Sequence, residues 1–348
     1  ITGSFGKTSV KEYLATILET SFKVVKTPEK INTDIGGALS VLNTITPETE
    51  VFIAEMGAYT RGEIKNIATF VKPSIGVLLG VNEQHIELFG SITNTKHAKY
   101  ELIQSITSGG VAFFNFDRSE LASLISRTKK RSDITVVTYG LDKRADIWAD
   151  HIDSTKDGIS FIVHHGNDHI DMRAHVFGSQ QVSNILAAIS IALTLGLKLT
   201  KIKTGVARIV PPPQTMVRAG SYNDALLVDD TFNANPDSVR AAISYMRHFT
   251  GKKILVLTPL IELGDKSIDI HRELGQLMGR LCDWVILTNP NFYEAVISEL
   301  SEKKRKHILQ MKTDQAAIFL KDNLKDGDVV VFEGKEAGKV LDQLVTKK

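Results

Sequence analysis

The sequence predicts an α/β protein of two units, the first centred on a mostly parallel sheet and the second smaller and of similar build. Three observations carry this expectation. Helix-period and strand-period segments alternate through the first part of the chain and again beyond residue 210, the pattern of strands joined by helices lying on the faces of a sheet. Between the two stretches stands Pro211-Pro212-Pro213, which can continue neither a helix nor a central strand and stiffens a linker. Finally, 348 residues exceed what one ordinary hydrophobic core serves. The expected domains are residues 1–209 and 210–348.

In the first domain, Val10, Tyr13, Leu14, Ile17 and Leu18 recur on one face of a helix over 7–20. Apolar runs at 51–54, 74–79 and 111–114 read as strands, with helices over 61–70 and 93–106. From 133 to 176 the pattern changes to alternation, in runs at 134–139, 147–152, 159–164 and 170–176. Gly158 and Gly166-Asn167-Asp168 mark turns, so a small antiparallel insert is expected here. An apolar helix over 181–196 follows. Beyond the prolines, strands at 225–228, 254–257, 284–287 and 329–332 alternate with helices at 236–248, 268–280 and 291–301, a Rossmann-like unit.

Composition narrows the function classes. Lys and Arg number 42 against 40 Asp and Glu, a formal net charge of +2, and the basic residues are scattered. No nucleic-acid partner is expected from that balance. No apolar run approaches the roughly 20 residues of a membrane span, and no signal peptide opens the chain. Cys282 is the single cysteine. Placed in a stretch, 281–287, that reads as a buried strand, it suits packing in a reducing compartment. The default expectation is a cytoplasmic enzyme or binding protein, and a monomer.

The strongest local signal is Gly3-Ser4-Phe5-Gly6-Lys7-Thr8-Ser9. Glycines let backbone N–H groups turn onto phosphate oxygens. Lys7 would reach the β- and γ-phosphates of ATP, and the Thr8 hydroxyl would ligate Mg²⁺. The loop is one glycine short of the full Walker pattern. Such loops follow a buried strand, so the chain is expected to be cut, or partly represented, at its N-terminus. Glu55 ends the 51–54 strand, where ligands bind in α/β sheets, though a capping or surface role fits equally. His85 follows the next strand, in Asn82-Glu83-Gln84-His85; acidic and imidazole groups at adjacent strand ends favour a metal. Lys99, judged on its helix alone, reads as a solvated lysine. Asp229-Asp230-Thr231-Phe232-Asn233-Ala234-Asn235-Pro236 reads as a capping loop before a helix with Pro at its first position, and its polar density also suits an active-site face.

In this order, Thr-Gly-Ser-x-Gly-Lys-Thr, Glu55-Met-Gly-Ala, His85-x-Glu-x-Phe-Gly-Ser, Ala-Lys99-x-Glu, Asp229-Asp-x-x-Asn-Ala-Asn-Pro and Glu262-Leu-Gly resemble the motifs of the Mur ligases. The nearest branch is the one that adds D-alanyl-D-alanine to a UDP-linked muramoyl tripeptide in peptidoglycan synthesis. The resemblance implies an ATP-dependent ligase working through an acyl-phosphate. It implies Gly3, Ser4, Gly6, Lys7, Thr8 and Ser9 on ATP, Thr8 on Mg²⁺, and Glu55 and His85 on a second Mg²⁺. Lys99 matches a lysine carried as a carbamate at that metal site. Asn32 matches a substrate-facing loop and Asn184 an asparagine near the adenine, while Asp230, Asn233 and Asn235 match a loop that closes over the nucleotide. The resemblance includes no counterpart here of the family's N-terminal uridine-nucleotide domain. Gln180-Gln181 stand where the family has His-Asn, and Thr258-Pro259-Leu260 where it has Gly-Asp-Met. Alternative readings are another ligase of the superfamily, such as folylpolyglutamate synthase or a lipid-linked amidating subunit, and a non-ligating ATP-binding regulator. A mere sensor would need none of Glu55, His85 and Lys99.

Overall fold

The computed structural model of the chain describes residues 1–28, 44–82 and 89–345. Asn32 and His85 lie outside the described residues. Contacts divide the chain into two units: residues 1–153, 159–175 and 179–210, and residues 154–158, 176–178 and 211–348. Among the described residues, no helix is long and apolar enough to cross a membrane.

In the first unit, α1 (Lys7–Leu18) buries Val10, Tyr13, Leu14, Ile17 and Leu18, as its periodicity requires. Strands β1 (Val24–Lys26) and β2 (Val51–Ile53) form a parallel pair. A six-stranded sheet follows in the order β3 (Ile75–Leu78), β4 (Val111–Asn115), β5 (Thr135–Gly140), β6 (Ile147–Thr155), β7 (Gly158–His165) and β8 (Asp168–Ala174). Residues Ile1 and Thr2 occupy the strand position between these sheets. On one side, the Thr2 N–H donates to Val77 (2.9 Å) and its carbonyl accepts from Leu79 (3.0 Å). On the other, the Met56 N–H donates to Ile1 (2.9 Å) and the Thr2 hydroxyl to the Met56 carbonyl (2.8 Å). The phosphate loop therefore leaves the edge of a buried, parallel-paired segment.

Helices α2 (Glu63–Val71), α3 (Ile92–Gln104) and α4 (Ala122–Thr128) link this part. Pairing is parallel from β3 through β6 and antiparallel between β7 and β8. β6 and β7 are neighbours joined by two residues, a connection that only antiparallel strands make. The expected insert over 133–176 is thus no sheet of its own. Its first two strands extend the main sheet in parallel, and only the last two turn back. Helices α5 (Gln181–Thr194) and α6 (Leu199–Val206) pack against α1.

The second unit carries a six-stranded sheet ordered β13 (Ile308–Gln310), β12 (Trp284–Leu287), β11 (Lys253–Leu257), β14 (Val329–Glu333), β10 (Ala225–Asp230) and β9 (Val217–Tyr222). β9 alone is antiparallel to its neighbour. α7 (Pro236–Met246), α8 (Ser267–Leu281) and α9 (Tyr293–Ile297) cover one face. After the short α10 (Glu302–Arg305), α11 (Thr313–Asn323) and α12 (Lys335–Asp342) cover the other. β14 returns between β11 and β10, so the strand order reverses there, the place where α/β sheets open a crevice at their carboxyl ends. Two expectations are corrected. Cys282 is not in a strand: it follows the C-terminus of α8, with Asp283 between it and β12, and burial pushes its thiol up to about 12. The helix expected over 291–301 is only Tyr293–Ile297, starting after a left-handed Phe292 (φ 60°).

Candidate active site

The phosphate loop is held from two sides. The Ser4 N–H donates to the Gly80 carbonyl (2.9 Å), and the Asn82 N–H donates to Ser4 Oγ (3.2 Å), which ties the loop to the end of β3. Gly6, at the helix start, has φ 75°, a conformation that glycine adopts without strain. A Cβ there would lie 2.6 Å from Asn184 Oδ1, so Asn184 stands directly behind the loop. Its Nδ2 donates to Gln181 Oε1 (2.9 Å), which also accepts from the Tyr13 hydroxyl (3.1 Å). Gln181 thus anchors Asn184.

Lys7 Nζ donates to the Gly3 carbonyl (2.9 Å). Burial lowers its pKa, and the Glu55 carboxylate partly offsets that shift. One residue on, Thr8 Oγ1 donates to Glu55 Oε1 (3.1 Å). Glu55 is buried, and its backbone N–H donates to Thr27 Oγ1 (3.0 Å). Two oxygen ligands at right angles on Mg²⁺, each about 2.1 Å from the ion, stand about 3.0 Å apart. The Thr8–Glu55 separation fits that edge, and both are hard oxygen donors. Among the described residues no three acidic, His or Cys side chains gather as a metal cage. Mg²⁺ takes one or two carboxylates and completes its shell with phosphate oxygens and waters.

Lys99, on α3, is not the solvated lysine its helix suggests when read alone. It is 2% exposed, with Nζ 6.0 Å from the Phe89 ring centre. Burial, reinforced by the Lys7 cation, holds its amine well below the usual lysine range. Lys7, Thr8, Glu55, Asn184 and the loop residues Gly3, Ser4, Gly6 and Ser9 thus share one locality, with Lys99 close enough to Lys7 for their charges to interact. Asn32 and His85 lie outside the described residues. Sequence reading missed Lys11, which is fully buried with its Nζ 3.2 Å from Glu55 Oε2. A lysine one turn into a helix carries no signal that separates it from a solvated one.

In the second unit, Asn235 caps α7 by accepting from the backbone of Asp237 (3.0 Å) and Ser238 (3.2 Å). The Ser238 hydroxyl accepts in return from the Asn235 N–H (2.9 Å). The capping function expected of this loop is therefore built, while Asn233 is exposed. Asp230 Oδ1 accepts from the Met216 N–H (3.0 Å). Asp230 stands in register with Glu333, across β10 and β14. Burial raises both carboxyls. Asp230 is pushed up to about 7, against hydrogen bonds from Glu333 and the Met216 N–H that pull it down, and Glu333 is held well above the carboxylate range by burial and then by Asp230.

A phosphate loop with an adjacent oxygen pair of the kind that holds Mg²⁺, followed by a Rossmann-like unit, marks an α/β protein that handles a nucleotide. The chain matches the Mur ligase middle domain over residues 1–192 and the Mur ligase glutamate ligase domain over residues 216–336. It belongs to the Mur ligase family. It is 30% identical over 374 residues to the UDP-N-acetylmuramoyl-tripeptide--D-alanyl-D-alanine ligase of Mycobacterium tuberculosis (strain CDC 1551 / Oshkosh), covering 99% of this chain and 72% of that protein. It is 30% identical over 339 residues to the ligase of the same name from Haemophilus influenzae, covering 96% and 72%. Among solved structures, MurF from Acinetobacter baumannii superposes with a TM-score of 0.88 at 25% identity, covering 98% of this chain and 75% of that one. MurF ligase from Thermotoga maritima in complex with ADP gives 0.85 at 26% identity, covering 99% and 78%.

Proposed function

We propose that the chain carries the ATP-handling and amine-handling parts of a ligase that joins D-alanyl-D-alanine to a UDP-linked muramoyl tripeptide. The observation that carries the reading is the Thr8–Glu55 pair, 3.1 Å apart and one residue from the phosphate-loop lysine, in a chain of this family. ATP is bound by the N–H groups of Gly3 to Ser9, with Lys7 leaving the Gly3 carbonyl for the β- and γ-phosphates. Asn184 stands on the adenine side. Thr8 and Glu55 would hold one Mg²⁺ between them; Glu55 faces Thr8 first, so its assignment with His85 to a second ion rests on the family resemblance. Bound there, Mg²⁺ neutralises the phosphate charge that builds up as the γ-phosphoryl group leaves.

The γ-phosphoryl group passes to the carboxylate of the tripeptide, giving an acyl-phosphate and ADP. The amine of D-alanyl-D-alanine attacks the acyl carbon, and phosphate departs from the tetrahedral intermediate as the amide forms. The protein contributes position, charge and exclusion of the water that would hydrolyse the acyl-phosphate. In the C-terminal domain, proposed to span 210–348, exposed Asn233 would reach the nucleotide while Asp230 and Asn235 hold the loop's form. Asn32 is assigned to the substrate from the resemblance alone. A cytoplasmic, monomeric enzyme fits a reaction that consumes ATP and nucleotide-linked precursors.

Lys99 is proposed to act as a carbamate. A buried amine held below the usual lysine range has the lone pair that attacks CO₂, forming the N–C bond and releasing one proton. The resulting anion would stand near the Lys7 cation and suit a hard metal. The test of the whole reading is a coupling assay with ATP, Mg²⁺, UDP-muramoyl tripeptide and D-alanyl-D-alanine. Phosphate release is expected to require both acceptor and amine; release independent of the amine, with no amide product, would overturn it.

A further inference from the structure

Helix α1 holds a second lysine with no part in the reading above. Lys11 is 0% exposed, an unusual place for a group so strongly hydrated in water. Its Nζ lies 3.2 Å from Glu55 Oε2 and 3.6 Å from Glu12 Oε1. Neither oxygen is aligned to accept a hydrogen bond from it, so the contact is one of charge. Glu12 in turn pairs with Lys26 of β1. Charges therefore alternate from the sheet edge inward, Lys26, Glu12, Lys11, Glu55, and end on the Thr8 hydroxyl. The two oxygens of Glu55 are divided: Oε2 faces Lys11, and Oε1 faces Thr8.

We propose that Lys11 is a positioning residue for the metal-facing carboxylate, holding Oε2 of Glu55 so that Oε1 stays directed at Thr8 and the divalent cation. The inference rests on the reading of Thr8 and Glu55 as cation ligands. Thr8 and Lys11 lie three residues apart on α1 and so project from one face. The helix that carries the phosphate loop thereby also sets the orientation of a carboxylate from a different strand. A buried carboxylate without that cation would lose the attraction fixing its rotamer, and a ligand that must be reoriented binds metal more weakly. Groups that orient metal ligands from behind typically contribute roughly 10–100-fold in metal affinity.

The test is Mn²⁺ binding, followed by electron paramagnetic resonance, to the full chain saturated with a non-hydrolysable ATP analogue. Wild type and Glu55→Gln examine the underlying reading: if both bind Mn²⁺ equally, Glu55 is not a ligand and the proposal falls with it. With that loss established, Lys11→Met is expected to weaken Mn²⁺ by roughly 10–100-fold, and Lys11→Arg to restore most of it. Analogue binding in EDTA should change little, since the loop backbone and Lys7 are untouched. Unfolding temperature without metal or nucleotide reports any purely structural loss separately. Should Lys11→Met not fold, Lys11→Gln, with a polar head in the same buried space, carries the same comparison. Mn²⁺ affinity equal to wild type in the folded neutral variant would overturn the proposal, whatever its stability.

Discussion

Replacing Glu333 by Gln should make the protein more stable at neutral pH, although it removes a buried charged-type residue. Glu333 is 0% exposed; the Ser238 hydroxyl donates to its Oε1, and no described group donates to its Oε2. Its neighbour in register is Asp230. Two carboxyls this placed share a proton, since both cannot ionise side by side in a buried setting. Burial raises the pKa of Glu333 first, and Asp230 raises it further. For an acid, a folded pKa above the unfolded one means that the native state binds more protons. The stabilisation is then complete below the ordinary carboxylate pKa and is lost as pH rises towards the folded value. Each proton taken up on folding tilts stability by about 1.4 kcal/mol per pH unit. Glutamine takes up none, keeps an acceptor for Ser238, and offers Asp230 an amide N–H. The variant should match wild type near pH 5 and gain on it as pH rises towards 7, by up to about 1.4 kcal/mol for each pH unit. Urea unfolding at pH 5, 6 and 7, followed by Trp284 of the same unit in a Trp148→Phe background, measures this. Parallel stability curves, or a variant weaker at every pH, would refute the shared proton.

Three further outcomes are expected. Gly6→Ala should weaken ATP binding at least tenfold by calorimetry, because the left-handed φ of 75° costs a side chain about 1–2 kcal/mol and the new Cβ would meet Asn184 Oδ1 at 2.6 Å; affinity within threefold of wild type would argue against a rigid loop. Lys99→Ala should abolish nearly all ligation, and CO₂ depletion should lower wild-type activity until bicarbonate restores it. Full activity in the variant, or indifference to CO₂, would remove the carbamate. Asn235→Ala should cost about 1 kcal/mol in unfolding free energy by loss of the helix cap, and Asn235→Asp only a few tenths; equal losses would show that the cap is not what Asn235 supplies.

Local patterns told most of the architecture. The apolar spacing in 7–20 marked the buried face of α1, the glycines and Lys7-Thr8 marked the loop, and the prolines fell beside the division at residue 210. These are near-neighbour properties: helix periodicity, backbone freedom at glycine and proline's missing donor act over a few residues, so they can be read directly. Strand order, register and burial are different, because they depend on which distant segments pack together. The alternation at 133–176 announced strands but not that two of them would join the main sheet in parallel. Lys11 and Lys99 each read as solvated helix lysines, and only packing against the sheet and the Phe89 side buried them. Glu333 ends an apolar strand with no sign of a partner; the return of β14 between β11 and β10 sets it opposite Asp230. Sequence alone determined which chemistry the chain carries, through the residue types in its loops. Tertiary structure decided which charges lose their water and which partner each then meets, because desolvation and ion pairing are set by three-dimensional neighbours and leave no periodic trace along the chain.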